Sequence, residues 1–346
     1  MQALVKKEKG FGNTELVDIP EPSPGPRMVK AEIKYCGICG TDYKMYTDDH
    51  AYYTPPVVLG HEFSAVVVEV GDKVQNIKVG DEIVAAPLRT RNTLHQRHAY
   101  HFPGRVRRGF DTPWGVAAYG GFTKYGVYPE ESVLKIPDGV TLVDAALTEP
   151  TAVCARGIIG FGMVHCTDVA VVSGPGSIGL LAAQIAKAEG ATVIVCGIDG
   201  DEKKLEMAAK LGADMVFNVS KEDPLPAILD MTYGAGADVV IECAGHGSSI
   251  ANLINYARLG AQYIQIGTSM HKYEVDFMQL AYKELKAVGT FGASHQDFER
   301  SLRLMANGQV SGSGVVSHKM PISQWEEAFK IIEARESVKI LLYPDE

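Results

Sequence analysis

The chain has 346 residues, enough for two domains with sizeable cores, and its 46% hydrophobic and 22% charged residues are ordinary globular composition. Lys and Arg are outnumbered by Asp and Glu, 33 to 42, and the net charge of −9 argues against an unaided hold on nucleic acid or anionic membrane and favours small-molecule partners. Met1-Gln2-Ala3-Leu4-Val5-Lys6-Lys7 holds no apolar run for a signal peptide, and no later stretch reaches the roughly 18 apolar residues of a spanning helix, so a soluble, cytoplasmic protein is expected.

From residue 1 to about 150 the pattern is short alternating strands punctuated by Gly and Pro, as in Val66-Val67-Val68-Glu69-Val70-Gly71-Asp72 and Val79-Gly80-Asp81-Glu82-Ile83-Val84, which predicts a β-rich, barrel-like domain. Beyond Glu149 the style becomes strand, glycine turn, helix: a strand over 168–173, the turn Gly174-Pro175-Gly176-Ser177-Ile178-Gly179, and an amphipathic helix over 180–187. A strand over 192–196, a helix over 203–211 and strands over 238–242 and 263–266 continue the alternation, which reads as a doubly wound parallel sheet. From about Gly289 the pattern turns to helices over 298–306 and 322–333 and a short strand over 338–342.

Six cysteines, Cys36, Cys39, Cys154, Cys166, Cys196 and Cys243, are too few and too scattered for a disulfide scaffold in a chain this long, and Cys196 and Cys243 sit in apolar strand-like runs as inert buried thiols. Cys36 and Cys39 form a C-x-x-C, but no second such pair exists to complete a zinc ribbon. Cys39-Gly40-Thr41-Asp42, Gly60-His61-Glu62 and Glu149-Pro150 set out a thiolate, an imidazole and carboxylates, a donor set that suits Zn²⁺ with a position left for a substrate oxygen. In the glycine turn, Gly174 permits the bend, Gly176 lets a pyrophosphate approach the backbone, and Gly179 allows close packing of helix on strand. Pro175, Ser177 and Ile178 complete that phosphate cradle.

With these motifs in order along the chain, the sequence resembles the zinc-dependent medium-chain dehydrogenases/reductases of the alcohol dehydrogenase superfamily. The resemblance implies a β-rich GroES-like catalytic domain over 1–150 and 290–346 and a Rossmann dinucleotide-binding domain over 151–289. It further implies Cys39, His61 and Glu149 as zinc ligands, with Glu62 either a fourth ligand exchanging with substrate or water, or a carboxylate just behind the metal. Asp42 falls where it would orient a ligand. Thr41 falls where relatives take up the hydroxyl proton, and Lys44 stands where many have a relay histidine. Lys44 is expected either to pass that proton on or to hold an anionic substrate group.

Many relatives carry a second, structural zinc on four thiols. In this frame the slots fall on Arg91, Leu94, Arg97 and Gly104 or Arg105, so one catalytic zinc and no structural zinc is expected. His95, His98 and His101 lie among Arg97, Arg105, Arg107 and Arg108, which would repel a cation; a basic lobe at a subunit interface or against an anionic substrate group is the better reading.

The choice of dinucleotide turns on the end of the second strand. Gly197 occupies the usual acid position, but Asp199 lies 20 residues after Gly179, near the roughly 20-residue spacing of a ribose-binding acid. Asp199 and Asp201 would repel a 2′-phosphate and no Ser-Arg pair follows Gly197, so NAD is favoured over NADP, with Lys204 a candidate neighbour of the adenine ribose. The expected reaction is reversible hydride transfer between a secondary alcohol and NAD, the alcohol being a polyol, a polyol phosphate or a hydroxy acid. An NADP-dependent ketone or aldehyde reductase is the alternative, and a non-catalytic dinucleotide-binding regulator is a distant third. Glu149 resembles the polyol and threonine dehydrogenase branch, whereas Gly292-Ala293, where sorbitol dehydrogenases carry Arg-Tyr, speaks against sorbitol itself. Tyr43 and Tyr46 are either hydroxyl contacts to a polar substrate or packed aromatics. Assembly as a homodimer or homotetramer is implied by the resemblance.

Overall fold

The computed structural model describes residues 1–49, 55–86 and 120–345, and the segment carrying His95, His98, His101 and the arginines around them lies outside the described residues. The chain divides into two compact units, one of Met1–Glu149 with Gly292–Leu302 and Val316–Glu346, the other of Pro150–Phe291 with Arg303–Val315.

In the first unit β1 (Gln2–Lys6), β2 (Thr14–Asp18) and β4 (Val57–Val58) form a three-stranded sheet in the order β2-β1-β4. A larger mixed sheet runs β15 (His318–Pro321), β16 (Ile340–Tyr343), β3 (Met28–Gly37), β5 (Glu62–Val70), β6 (Glu82–Ala85) and β8 (Val133–Lys135), with β7 (Tyr125–Pro129) also paired to β3. Its inward residues, among them Val29, Ala31 and Ile33 of β3 and Phe63, Ala65 and Val67 of β5, alternate along the strands and bury one apolar core. Expected strand residues 79–81 are instead a turn: Gly80 has φ +90°, and the Asp81 carboxylate accepts from the Lys78 amide at 2.9 Å, so the ladder starts at Glu82. Helices α1 (Gly40–Tyr46) and α2 (Leu142–Ala145) belong to this unit, as does α10 (Trp325–Glu333), which follows a 3-10 turn at Ile322–Gln324.

Helix α3 (Thr148–Ala155) leads on into a π-helical turn at Arg156–Phe161. The second unit is an all-parallel sheet in the order β11 (Met215–Asn218), β10 (Thr192–Gly197), β9 (Val169–Ser173), β12 (Ala237–Glu242), β13 (Ala257–Gln265), β14 (Lys286–Gly289). The strands connect through α4 (Ser177–Ala188), α5 (Glu202–Lys210), α6 (Leu225–Met231), α7 (Gly247–Tyr256) and α8 (Met278–Tyr282). Strands β9, β10 and β12 read as near-continuous apolar runs because helices cover both faces of such a sheet. Strand order reverses between β9 and β12, and ligands of such sheets bind at the carboxyl ends of the strands flanking that reversal. Helix α9 (His295–Ala306) closes the list. Among the described residues no helix is long and apolar enough to cross a membrane.

Candidate metal centre and dinucleotide turn

Both motifs near the start of the chain converge on one buried carboxylate. Cys39 is the N-cap of α1, and its amide donates to Asp42 Oδ2 at 3.0 Å, while the Asp42 amide donates back to the Cys39 carbonyl at 3.0 Å. An acid in the first turn satisfies the orphan amides of the helix start and complements its dipole. The other oxygen, Asp42 Oδ1, accepts from the Gly60 amide at 2.9 Å and lies 3.7 Å from His61 Nδ1. Asp42 is fully buried, so both motif loops are tied to one group with no freedom to drift.

The sulfur of Cys39, an imidazole nitrogen of His61 and a carboxylate oxygen of Glu62 all lie within 4.8 Å of one another. Glu149, in the first turn of α3, is buried beside this group without joining it at that separation. His61 Nδ1 is buried with no hydrogen-bond partner among the described residues. A thiolate, an imidazole and carboxylates around an orphaned buried nitrogen are the donor chemistry of a Zn²⁺ site, so the residues fit the metal that the sequence implied.

The charges agree with that reading. Burial works against an imidazolium at His61, but the Asp42 carboxylate and the Cys39 sulfur outweigh it and hold its pKa well above the usual value. Burial, reinforced by Glu62 and Asp42 and opposed by His61 and Lys339, pushes the Glu149 carboxyl up to about 7. Carboxylates, a thiol, an imidazole and an ammonium are crowded here in one buried space, and a bound divalent cation would oppose both shifts.

Lys339 is the residue that sequence reasoning missed. It immediately precedes β16, which pairs antiparallel with β3, and its buried Nζ donates to Glu62 at 2.9 and 2.7 Å and to the Ile38 carbonyl at 3.0 Å. Burial opposes the ammonium, yet Glu62, Cys39 and Glu149 carry its pKa above the usual value. Both Glu62 oxygens are thus already engaged, and a Cβ on Gly37 would run into Glu62 Oε2, which fixes the carboxylate from the other side. The only sequence signal was a lysine set in the apolar run Val338-Lys339-Ile340-Leu341-Leu342.

Thr41 Oγ1 lies 3.6 Å from the Cys39 sulfur. Lys44 is half-buried in the last turn of α1. Tyr43 and Tyr46 are packed aromatics: Tyr43 lies 5.9 Å from Phe329, and Tyr46 lies 5.2 Å from Phe329 and 6.0 Å from Trp325, edge to face, fastening α1 to α10. The C-terminal carbonyl of α1, on Tyr46, accepts from the Gly12 amide at 2.9 Å and from the buried Lys6 ammonium at 3.3 Å. Cys36 is buried on β3, and burial holds its pKa well above the usual value, so it is no partner for a thiol exchange with Cys39. None of the six cysteines forms a disulfide.

In the second unit Gly174 has φ +95°, and a Cβ there would meet Ala244 at 2.8 Å. A Cβ on Gly179 would run into the Gly174 carbonyl, whereas one on Gly176 meets nothing within 4 Å. Gly176 is the N-cap of α4, so the turn is tight behind and open in front, a shape that fits a pyrophosphate on the helix N-terminus. Its floor is shaped by Glu242, another residue the sequence did not mark. That fully buried carboxylate accepts from the Ala244 and Gly245 amides at 2.9 Å and from Ser249 Oγ at 2.8 Å, and Ser249 also bonds Ser173 Oγ at 2.7 Å. Asp199 pairs with Lys221 at 3.0 Å and Asn218 at 2.9 Å, and Lys204 pairs with Asp201 at 2.9 Å.

Residues 25–138 match the family model of the alcohol dehydrogenase GroES-like domain, and residues 177–307 match that of the zinc-binding dehydrogenase. Sorbitol dehydrogenase of Halalkalibacterium halodurans is 35% identical, covering 99% of this chain and 99% of its own. D-arabitol-phosphate dehydrogenase of Enterococcus avium is 30% identical over 99% of this chain and 97% of its own. A zinc-binding dehydrogenase structure from Sinorhizobium meliloti 1021, bound to NADP, superposes with a TM-score of 0.85 at 28% identity, covering 99% of each chain.

Proposed function

Because the chain belongs to the zinc-dependent medium-chain dehydrogenases, built from a GroES-like and a Rossmann domain, we propose that it oxidises a secondary alcohol of the polyol or polyol-phosphate class, reversibly, with NAD as hydride acceptor. The observation that carries the reading is the gathering of Cys39, His61 and Glu62 donor atoms within 4.8 Å around Asp42.

Cys39, His61 and Glu149 would hold the zinc, and Gly174 to Gly179 the dinucleotide pyrophosphate. When bound, zinc supplies a Lewis acid at the alcohol oxygen and the dinucleotide supplies the hydride acceptor. Thr41 Oγ1, beside the Cys39 sulfur, would accept the hydroxyl proton as it passes its own outward, and Lys44 would either continue that relay or hold an anionic substrate group. Asp42 keeps the two ligand loops in register, and the Lys339 ammonium on both Glu62 oxygens favours that carboxylate standing just behind the metal over its acting as an exchanging fourth ligand. Assigning residues 1–150 and 290–346 to catalysis and 151–289 to the dinucleotide follows the two compact units except over Arg303–Val315, which pack with the second unit.

Assembly as a homodimer or homotetramer is supported by the open edge strand β14 and by α8, none of whose residues is buried, with Phe277 and Tyr282 more than two-thirds exposed. A cytoplasmic location is supported by six cysteines that form no disulfide with one another.

Elemental analysis alongside NAD⁺ and NADP⁺ reduction on polyols, polyol phosphates and hydroxy acids tests the proposal. One zinc per chain with NAD⁺-dependent turnover of one of these classes is the expected result. Turnover by metal-free protein would overturn it.

A further inference from the structure

Glu242, the last residue of β12, is a fully buried acid that the proposed reaction leaves unused. Its Oε1 accepts from the Ala244 and Gly245 amides at 2.9 Å and from Ser249 Oγ at 2.8 Å. Its Oε2 accepts from the Gly245 amide at 3.0 Å and from Gln265 Nε2 at 2.6 Å. Each of these partners donates, which is what an ionised carboxylate requires, and each is electrically neutral. Among the described residues no Lys, Arg or His pairs with it.

The same contacts fix where this charge sits. Ser249 Oγ lies 2.7 Å from Ser173 Oγ at the end of β9, and Gln265, which ends β13, donates also to the Gly267 carbonyl at 2.7 Å. The Ile266 and Gly267 amides donate to the Glu242 carbonyl at 2.9 and 2.8 Å, and a Cβ on Gly267 would run into Oε2. One anion thus ties the carboxyl ends of β9, β12 and β13, on both sides of the point where strand order reverses. A sheet of this order binds a dinucleotide across the reversal, one nucleotide to each half. The half built from β9, β10 and β11 carries the glycine turn and takes the adenosine side, which leaves the nicotinamide side to the half that begins at β12.

A nicotinamide ring is a cation in NAD⁺ and neutral in NADH. A buried carboxylate with no counter-ion is poorly screened, so its field acts on that difference. We propose that Glu242 sets the balance between the two redox forms of the bound dinucleotide, its uncompensated charge raising affinity for NAD⁺ relative to NADH. The inference rests on the dinucleotide reading above. Glu242 is a positioning residue, holding the three strand ends while its charge acts on the ring through them. Hydride leaving the alcohol carbon discharges the ring, so the same charge draws the bound equilibrium toward alcohol and NAD⁺.

The test is titration of the full zinc-loaded chain without substrate, NADH by its fluorescence and NAD⁺ by displacement of NADH, at fixed pH and ionic strength. The expected result is a Glu242→Gln variant whose ratio of Kd for NAD⁺ to Kd for NADH is at least about fivefold above wild type. Gln265→Lys sets an ammonium beside the intact carboxylate and should move the ratio in the same direction. Ser249→Ala loosens the tie to Ser173 but keeps the charge, so both Kd values should rise together and their ratio should change less than about twofold. Melting temperatures monitor the fold, and where Glu242→Gln fails to fold Gln265→Lys decides. An unmoved ratio in a folded charge variant, or a shift in Ser249→Ala as large as theirs, overturns the inference while leaving the dinucleotide reading intact. Wild type that binds neither form overturns that reading and the inference with it.

Discussion

The ammonium of Lys339 lies 2.9 and 2.7 Å from the two oxygens of Glu62, and both side chains are buried. A buried pair of this kind contributes little over an apolar replacement of both partners, but removing one partner strands a charge at a cost of about 3–5 kcal/mol. Lys339→Met should therefore lower the urea midpoint sharply, and the double variant Lys339→Met with Glu62→Gln should recover much of the loss. A single variant as stable as wild type would show that the pair is not what holds Glu62 in place.

The metal-free protein should lose stability as pH rises. Glu149 is pushed up from 4.5 to about 7 in the folded state. Its folded pKa exceeds its unfolded one, so its stabilising share is fully present below about pH 4.5 and fades as pH climbs through 7, a swing on the order of 3 kcal/mol. His61, also raised, acts in the same sense above pH 6.5. Urea midpoints of chelator-treated protein at pH 5 and pH 8 check this, with Glu149→Gln expected to flatten the slope. A wild-type midpoint that does not move with pH would refute it.

Replacing Thr41 by Val should lower kcat by roughly a hundredfold or more, the usual contribution of a positioned proton-transfer group, with KM and zinc content little changed. Thr41→Ser keeps the hydroxyl and should retain most of the rate. Equal rates for Thr41→Val and wild type would remove Thr41 from the relay.

Asp42→Asn keeps one acceptor where two amides, the part-buried one of Cys39 and the buried one of Gly60, now share a carboxylate. Leaving one amide unpaired costs about 1–3 kcal/mol, and loosening both ligand loops should weaken zinc binding by roughly 10–100-fold. Chelator competition and thermal unfolding measure the two effects separately. Unchanged zinc affinity would mean that the loops are held by something else.

Gly179→Ala places a methyl group against the Gly174 carbonyl and should raise the Kd for NADH at least tenfold while zinc content stays the same. Loss of zinc together with NADH binding would instead point to general unfolding.

What the sequence disclosed follows from locality. Cys39 with Asp42, Gly60 with His61, and Gly174 to Gly179 each act within a few residues, so their chemistry is written in their spacing. The doubly wound order was legible for the same reason, strand and helix alternating along the chain. Lys339 was not, because its partner lies 277 residues away and only the pairing of β16 with β3 brings them together. Glu242 was hidden because its partners are two backbone amides of its own loop, which carry no sequence mark, and the side chains of Ser249 and Gln265, which only the fold brings to it. Spacing singled out Asp199; its bonds to Lys221 and Asn218 were not legible, because they depend on β11 lying beside β10. Residues 79–81 read as strand because Val79 continued the alternation, and the positive φ of Gly80 overrode it.

The placement of β16 between β15 and β3 has a consequence for how the protein is made. Lys339 follows its partner Ile38 by 301 residues, so at about 5–20 residues per second the ribosome takes roughly 15–60 s to deliver it after the first loop has emerged. During that interval Glu62 is without its counter-ion and the end of β3 that takes β16 is an open edge, since β15 is also made late, while residues 150–291 of the second unit emerge in between. Synthesis order therefore leaves the Glu62 carboxylate unpaired until β16 is made, so this buried cluster is among the last parts of its unit to be completed.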